Sequence, residues 1–575
     1  MARSESPPSR PARGSQLPAS LPPLGTRATA GEPSEPWPDL LNPVPTLTVD
    51  AAGLCKVLAF SFVAGDDGGV LASALDAAPI AASDFEPACF FEELFVAELA
   101  RTAMRLEIGH RPLPVHEPYL LRLLSQPPRD PHAVDQRSQI WRELAERPLL
   151  RVAAEGVYLS ISALRRLFEG EGRVAIRGEQ ARRRLDVLKA VQQTFSAMTA
   201  PVLMNASSPL RRIADYATHV QTSAAFSQLD ELLRYENERA YADLTLQLGS
   251  DGTVRGLRIV GLREDTKNRY HVPVFKRWLG RAWLWLKGYR ITDGEVLDRW
   301  LDQVFDGVCA FIPPLLQLLG DLELYLSGAC MRDAFVSRGL PTCLPEWIEQ
   351  TQQSQIEGLF NPLLLALHVS PVTCSLALGP LATTTLLTGP NSGGKTRLLQ
   401  AVGILQLCAQ AGMYLPARVA RLPRVPGIFA SLSQAVSAEQ AEGRLGTELM
   451  RIRMLFERAA PGYLVLIDEL CSGTSPSEGE ELFRLVLELL EELEPVALVS
   501  THFLKFAAAL AHDPSLPKLR FVQVELDATE RPTYRFVEGV ATTSLARQTA
   551  ARLGVTREEL RALMVRNRAA VPARR

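Results

Sequence analysis

Apolar residues recur with helical spacing through much of the first half of the chain. Residues 133–145, 160–168, 178–198 and 223–241 place apolar side chains three or four positions apart, among many Arg and Glu residues. No strand pattern separates these stretches, and helical spacing returns over residues 293–336. The pattern therefore predicts a helical core or lever domain over residues 117–345.

The residues before this domain have a mixed pattern, which predicts a small N-terminal region at residues 46–116. Residues 46–65 are strand-like, and residues 92–108 have helical spacing that ends at Gly109. Residues 1–45 hold 11 of the 41 prolines in the chain, so they are expected to form a disordered tail.

The period of the pattern changes at residue 243. Residues 243–248 and 254–260 alternate between apolar and polar positions, and Gly-Ser-Asp-Gly lies between them. The sequence therefore predicts two antiparallel strands, which begin a small insertion at residues 243–290.

Beyond residue 383 short apolar runs alternate with helical segments. The runs at residues 384–388, 463–467 and 496–500 are typical of strands that are buried on both faces of a parallel sheet. We therefore expect residues 346–575 to form an α/β domain with a mainly parallel sheet, so that the whole chain is a multidomain α and α/β protein.

Composition narrows the class of protein. A chain of 575 residues corresponds to about three or four domains. The formal net charge of −2 excludes a uniformly basic coat protein for nucleic acid. No uninterrupted run of 18 apolar residues predicts a membrane span. The eight scattered cysteines argue against a zinc site or a disulfide framework, so we expect a cytoplasmic protein.

The strongest chemical signal is a glycine-rich loop between a predicted strand and a predicted helix. It consists of Gly389, Pro390, Asn391, Ser392, Gly393, Gly394, Lys395 and Thr396. In such a loop backbone N–H groups surround a polyphosphate, the lysine reaches its terminal oxygens and the threonine hydroxyl binds Mg²⁺. A chance glycine loop is the alternative, and the strand–loop–helix context argues against it.

Polar residues also follow the two other buried runs. Asp468 and Glu469 follow one run, and His502 follows the next. Ligands of open α/β sheets lie at the carboxyl ends of strands. We expect Asp468 to bind Mg²⁺, Glu469 to activate a water molecule as the general base, and His502 to contact the terminal phosphate or that water. A solvated strand end and a structural histidine are the alternatives.

These motifs together resemble the ATPase domain of the MutS family. The resemblance rests on the glycine-rich loop, on Asp-Glu-Leu-Cys-Ser-Gly-Thr-Ser at residues 468–475 and on Ser-Thr-His-Phe at residues 500–503. It covers residues 117–565, densely in the ATPase domain and thinly elsewhere. It implies an ATP hydrolase that uses ATP and Mg²⁺, binds mismatched or branched DNA and acts in mismatch repair or a related pathway. It also implies association with the nucleoid and with downstream repair proteins.

The resemblance further implies a homodimer whose nucleotide sites are completed in trans. The segment expected to approach the partner's phosphate is residues 443–448, where Thr447 is the one good match to the family's pattern. The segment at 473–475 would lie at the subunit interface.

A basic segment coincides with the family's DNA clamp. Residues 251–290 contain ten Lys and Arg residues against three acidic ones. Such residues neutralise phosphates in a sequence-independent and salt-sensitive way. The residues expected to contact DNA are Arg255, Arg258, Arg263, Lys267 and Arg269. A solvated face with its tryptophans in the core is the alternative.

The resemblance implies a shortened family member. Too few residues precede the helical domain for the family's mismatch-reading and connector domains, and few follow the ATPase. Residues 91–95 superficially fit the family's Phe-x-Glu wedge, but the start of an amphipathic helix is favoured.

Two other classes of function remain open. A transporter-type or chromosome-organising ATPase of the same superfamily would need a signature or long coiled coils that the sequence lacks. An ATP-gated protein-interaction switch that does not bind DNA would share the nucleotide site.

Overall fold

The chain is described here from a computed structural model. The structure describes residues 40–41, 51–170, 177–237, 240–248, 254–264, 293–390, 392–432, 443–470, 475–542 and 553–570. The helices in the first part are α1 (Ala51–Ala64), α2 (Val70–Ala77), α3 (Val96–Thr102), α4 (Glu117–Ser125), α5 (Pro131–Glu146), α6 (Pro148–Glu169), α7 (Arg177–Met198), α8 (Pro201–Met204), α9 (Arg211–Gln221), α10 (Ala224–Asn237), α11 (Asp293–Cys309) and α12 (Pro313–Ser337). The helices that follow are α13 (Leu363–Ala366), α14 (Lys395–Gln410), α15 (Gly443–Arg458), α16 (Pro476–Leu493), α17 (Leu504–Leu510) and α18 (Arg557–Ala570).

The strands of the described residues form four sheets. Two short ribbons are formed by β1 (Glu107–Ile108) with β2 (Arg111–Pro112) and by β3 (Ala240–Leu248) with β4 (Val254–Glu264). The remaining strands are β5 (Glu346–Ile348), β6 (Gln355–Leu359), β7 (Cys374–Leu376), β8 (Thr384–Thr388), β9 (Val419–Pro423), β10 (Ile428–Ser431), β11 (Leu464–Ile467), β12 (Val496–Ser500), β13 (Leu519–Leu526) and β14 (Pro532–Glu538).

The N-terminal region is helical where the sequence suggested a strand. Residues 51–64 form α1, so the strand-like interpretation of residues 46–65 is wrong for this part. Leu54, Leu58 and Phe62 are buried, and their spacing of four positions places them on one side of a helix. Phe62 stacks on Phe305 of α11 with ring centroids 4.1 Å apart. The packing of Phe62 on α11 therefore favours a helix over an alternating strand at residues 51–64.

The helical half is built around α12, which is buried along most of its length. An apolar surface on all sides of a helix is expected when neighbouring helices surround it, and α4, α5 and α6 pack against α12. Trp141 of α5 packs on Tyr325 and donates its indole N–H to the Tyr325 carbonyl at 3.1 Å. The helices predicted at residues 133–145, 160–168 and 178–198 are confirmed.

Two predicted helices are shorter than expected. The helix predicted over residues 223–241 ends at Asn237, and β3 begins at Ala240. Residues 92–108 form a helix only over Val96–Thr102, after a turn at residues 90–95. Apolar spacing does not by itself mark where a turn replaces a helix.

The ribbon of β3 and β4 confirms the predicted antiparallel pair. Its register is irregular between Asp243 and Leu244, which pair with Gly261 and Ile259. An extra residue in one strand of a pair is a β-bulge, and it shifts the face assignment of every later residue by one. The rest of the predicted insertion, residues 265–290, lies outside the described residues.

The α/β half contains a six-stranded sheet of order β10-β11-β12-β8-β13-β14. The first five strands pair in parallel, and β14 is antiparallel to β13. The buried runs predicted at residues 384–388, 463–467 and 496–500 correspond to β8, β11 and β12. A mainly parallel sheet is therefore confirmed. The sequence did not predict the second sheet, which has the order β5-β9-β6-β7.

Among the described residues, no single helix combines the length and apolarity needed to cross a membrane. The helices Trp300–Cys309 and Pro313–Ser337 reach that length and apolarity only when they are counted together, and the chain bends by 56° between them.

The two halves meet at the C-terminal end of α14. Gly412 follows this helix with φ +75°, and a β-carbon there would lie 2.6 Å from the Val134 carbonyl oxygen of α5. The Ser138 hydroxyl, also on α5, donates to the Gly412 carbonyl at 2.9 Å. This approach of two backbones allows only glycine at position 412.

We expect Gly412→Ala to destabilise the chain by more than the strain of a left-handed residue alone, which is about 1–2 kcal/mol. Gly339→Ala is the matched control, because Gly339 follows α12 with φ +71° and a β-carbon there meets no atom within 4 Å. The measurement is the midpoint of urea unfolding for both variants. Equal midpoints would contradict a tight contact between the two halves.

Candidate nucleotide site

The carboxyl ends of three parallel strands meet at one edge of the central sheet. β12 lies between β8 and β11, with Ser500 opposite Leu387 and Val499 opposite Ile467. The Thr501 N–H extends the pairing of β12 with β8 by donating to the Leu387 carbonyl at 3.0 Å, and the Asp468 N–H extends the pairing of β11 with β10 by donating to the Ser431 carbonyl at 2.9 Å. The segments after these strands therefore share one edge, as the sequence predicted.

The glycine-rich loop adopts backbone conformations that need its glycines. Gly389 has φ +135° and Gly394 has φ +83°. β-Carbons at Gly389 and Gly393 would lie 2.7 Å and 2.8 Å from the Val524 side chain of β13. The loop is thus packed against a neighbouring strand and leads directly into the N-terminus of α14, where unpaired N–H groups favour an anion. Asn391 lies outside the described residues, and Pro390 and Ser392 lie within the loop.

Lys395 is buried, with its ammonium group inside the loop. It donates to the carbonyl oxygens of Gly389 at 2.9 Å and Pro390 at 3.2 Å. Burial lowers the pKa of Lys395, while the charges of Glu469 and Asp468 act in the opposite direction. A positive charge held inside a loop of backbone amides is suited to contact phosphate oxygens.

Asp468 binds hydroxyl groups from two other segments. The Thr396 hydroxyl, in the first turn of α14, donates to one carboxylate oxygen at 2.5 Å. The Ser500 hydroxyl, at the end of β12, donates to the other. Burial raises the pKa of Asp468 above its ordinary value, although both hydroxyls oppose that change. The structure therefore brings together the two residues that the sequence predicted as Mg²⁺ ligands.

Glu469 has an unusual backbone conformation. Its φ is +50°, and its N–H donates to the Ser500 hydroxyl at 3.0 Å. A non-glycine residue in this region of φ is strained, and such residues are frequent at functional sites. Ser500 thus binds both members of the acidic pair, a role that the sequence analysis did not assign to it although it lies in the Ser-Thr-His-Phe motif.

A small cavity lies beside the acidic pair. Its volume is about 20 Å³, close to the space needed for one water molecule. Asp468, Glu469 and Ser431 line it together with Glu448 and Arg451 of α15. Thr447 precedes Glu448 in the same helix, so the helix that carries it borders the site of its own chain.

His502 lies two residues beyond β12. Its ring packs against Phe503 with centroids 4.3 Å apart. The Thr501 N–H before it donates to the Leu387 carbonyl of β8 at 3.0 Å, next to the start of the loop. His502 is therefore anchored on the site side of the sheet by the strand that leads into the phosphate loop.

An aromatic side chain that the sequence analysis did not identify lies over the loop. A β-carbon on Gly394 would lie 3.2 Å from the ring of Tyr534, which is on β14 and 48% exposed. Tyr534 also has φ +60°. No sequence motif marks this residue, because the antiparallel pairing of β14 with β13 brings it to the loop.

The residues predicted to contact DNA are only partly described. Arg255, Arg258 and Arg263 lie on β4, whereas Lys267 and Arg269 lie outside the described residues. Arg258 pairs with Thr245 and Arg263 with Tyr241. Positions 241 and 245 of β3 are four residues apart, so they lie on the same face of the strand. Their partners in β4 are five residues apart, and because the bulge adds one residue to β4, positions 258 and 263 also lie on one face of the ribbon.

The donor set fits a magnesium nucleotide. The Thr396 hydroxyl and the Asp468 carboxylate are oxygen ligands of the kind that Mg²⁺ accepts, and they already lie within hydrogen-bonding distance of each other. Lys395 and the N-terminus of α14 supply the positive potential for phosphates. Glu469 lies beside a cavity that fits a water molecule, as a general base requires.

Most of the α/β half is similar in sequence to known proteins. A family model described as MutS domain V matches residues 385–562. Endonuclease MutS2 of Thermomicrobium roseum is 36% identical over 197 residues, 34% of this chain and 24% of the relative. Endonuclease MutS2 of Thermus thermophilus is 33% identical over 281 residues, 48% of this chain and 36% of the relative. Endonuclease MutS2 of Streptococcus thermophilus is 34% identical over 214 residues, 37% of this chain and 26% of the relative. The matches thus span only about a quarter to a third of the length of these relatives.

We expect Asp468→Asn to stabilise the nucleotide-free chain at neutral pH. The pKa of Asp468 is higher in the folded chain than in the unfolded chain. The free energy of unfolding therefore falls as the pH rises from the unfolded pKa through the folded pKa. Asparagine removes this cost. The gain in the unfolding midpoint should shrink as pH is lowered toward about 3.9, the pKa of unfolded aspartate.

Asp527→Asn is the control with the opposite sign. Hydrogen bonds from the Arg531 N–H and from Thr529 lower the pKa of Asp527, so that its carboxylate stabilises the fold at neutral pH. Thermal unfolding of both variants across pH compares the two. A lower midpoint for Asp468→Asn at neutral pH would show that its charge does not oppose folding.

Proposed function

We propose that the chain is a MutS-family ATPase that uses Mg²⁺ and couples ATP binding and hydrolysis to DNA binding, a proposal supported by the match of residues 385–562 to MutS domain V. The observation that carries the proposal is the meeting of Lys395, Thr396, Asp468 and Glu469 at one edge of the parallel sheet. The similarity to the relatives supports the nucleotide site. The endonuclease activity in the name of these relatives is not part of the proposal.

The proposed reaction divides the chemistry among these residues. Mg²⁺, held by Thr396 and Asp468, supplies charge neutralisation for the phosphates when it is bound. Lys395 binds terminal phosphate oxygens. Glu469 accepts the proton of the attacking water, and His502 contacts the terminal phosphate or that water. The remaining loop residues, Gly389, Pro390, Asn391, Ser392, Gly393 and Gly394, surround the phosphates.

Tyr534 is proposed to contact the adenine base. Its ring lies over Gly394 and is half exposed, so one side of it is available to a flat apolar ligand. Aromatic rings stack on bases with a gain of about 1–3 kcal/mol per base.

The proposed DNA contact is the β3–β4 ribbon and the basic segment after it. Its arginines would neutralise phosphates, which makes binding sensitive to salt rather than to sequence. The proposed targets are mismatched or branched duplexes in mismatch repair or a related pathway. In this proposal residues 117–345 form the helical lever with the ribbon as a reduced clamp, and residues 346–575 form the ATPase.

The proposed assembly is a homodimer in the cytoplasm, at the nucleoid, with downstream repair proteins as partners. Apolar residues of the C-terminal segment support a self-association surface, since Leu553, Leu563, Met564 and Val565 are exposed. Thr447 and the segment at 473–475 are proposed to complete the partner's site.

We expect Glu469→Ala to reduce kcat for ATP about 10²- to 10⁴-fold, the usual contribution of a general base, while the protein still binds ATP. Lys395→Ala should instead weaken ATP binding, because it removes a charge from the phosphate loop. Glu494→Ala is the matched control, since Glu494 also has a positive φ of +56° but lies at the end of α16. Steady-state turnover and equilibrium binding of ATP with Mg²⁺ measure the two effects. Turnover of Glu469→Ala at the rate of Glu494→Ala would refute the assignment.

We expect Arg258→Glu combined with Arg263→Glu to weaken binding of branched and mismatched duplexes and to make log Kd depend less on log salt, by about one unit of slope per lost phosphate contact. Arg105→Glu with Arg111→Glu makes the same charge change at exposed residues elsewhere. Binding is measured with perfect, mismatched and four-way-junction DNA at two salt concentrations, with and without ATP. Salt-independent or absent binding by the unmodified protein would favour an ATP-gated protein-interaction switch instead.

A further inference from the structure

A turn near the N-terminus is packed into the ATPase domain. Leu94, in the turn at residues 90–95, is fully buried. A β-carbon on Gly403 of α14 would lie 2.5 Å from the Leu94 side chain and 2.9 Å from that of Leu466 on β11. Leu94 therefore packs against the helix that begins at Lys395, at the point where this helix also contacts the strand that ends before Asp468.

The preceding residue, Glu93, binds two groups near the end of β10. One carboxylate oxygen accepts the Leu432 N–H at 2.8 Å. The other accepts a hydrogen bond from the Arg451 guanidinium of α15. The Glu93 side chain is only 6% exposed. A charged hydrogen bond in such a position is strong, and its partners are held in one arrangement.

Both partners of Glu93 adjoin the acidic pair. Leu432 follows Ser431, whose carbonyl accepts the Asp468 N–H at 2.9 Å. Arg451 lines the small cavity beside Asp468 and Glu469. Glu93 thus connects the two elements, β10 and α15, that border the water-sized cavity.

We propose that Glu93 is a positioning residue of the ATPase site, which holds β10 and α15 in place around the cavity and so sets the position of the attacking water. The inference rests on the proposed ATPase function. It assigns to the N-terminal turn a role in turnover through Arg451 and Leu432, since the residues of the turn do not themselves line the cavity.

A second ion pair joins the same two segments without approaching the site. Glu86 contacts Arg458 of α15 at 2.8 Å, and both side chains are about half exposed. Arg458 lies two helical turns beyond Arg451. Glu86 is therefore a matched control for a general effect of N-terminal contacts on α15.

The test compares Glu93→Ala, Glu93→Gln and Glu86→Ala in the full chain. Steady-state kinetics give kcat and KM for ATP with Mg²⁺, and hydrogen–deuterium exchange without nucleotide follows peptides that contain Leu432 and Asp468. We expect kcat of Glu93→Ala to fall roughly 10- to 100-fold, as a misplaced reacting group does, with a smaller change in KM. Exchange at Leu432 should accelerate, because its N–H loses its acceptor.

The kcat and the Leu432 exchange rate of Glu93→Gln should lie between those of Glu93→Ala and those of the unmodified protein. Glutamine keeps an acceptor for the Leu432 N–H but loses the charge that faces Arg451. It also carries the test if Glu93→Ala does not fold. Glu86→Ala should match the unmodified protein in kcat and in exchange at Leu432.

Two failures are distinguishable. An unmodified protein that neither binds nor hydrolyses ATP refutes the proposed function. An unmodified protein that hydrolyses ATP, with kcat or Leu432 exchange of both Glu93 variants equal to those of Glu86→Ala, refutes the positioning role alone.

Discussion

The candidate site depends on the carboxylate of Asp468, which binds hydroxyls from two other segments. Thr396 comes from the helix after the phosphate loop, and Ser500 comes from the neighbouring strand β12. Ser500 also accepts the N–H of Glu469. These three hydrogen bonds bring residues more than 70 positions apart in the chain into one cluster.

The parallel sheet makes this cluster possible and also makes it costly. Parallel strands present all their carboxyl ends at one edge, so short polar segments after β8, β11 and β12 meet there. The same arrangement buries a carboxylate and an ammonium group and leaves Glu469 in a strained backbone conformation. Such features oppose stability and persist where the surrounding structure fixes them. They are expected at a site that binds a charged ligand.

The site is connected to the rest of the molecule by α14. Its N-terminal end carries Lys395 and Thr396, and its C-terminal end meets α5 of the helical half at Gly412. Leu94 packs against its middle at Gly403. The helix α14 is therefore the element that physically joins the phosphate loop to the helical half, as a nucleotide-dependent lever would require.

The sequence by itself determined the glycine loop, the buried strands and most of the helices, because each is a short-range pattern with its own period or spacing. It also placed Asp468, Glu469 and His502 at strand ends, since chain position alone decides that. It gave no role to Ser500, did not reveal the contacts of Tyr534 with the loop or of Glu93 with Leu432 and Arg451, and assigned a strand where α1 forms. Strand order, register and the packing of distant segments decide which side chains become neighbours, and these depend on contacts between residues far apart in the chain. The tertiary structure alone therefore placed Ser500 beside Asp468, the Tyr534 ring over the loop and the N-terminal turn against the α/β domain.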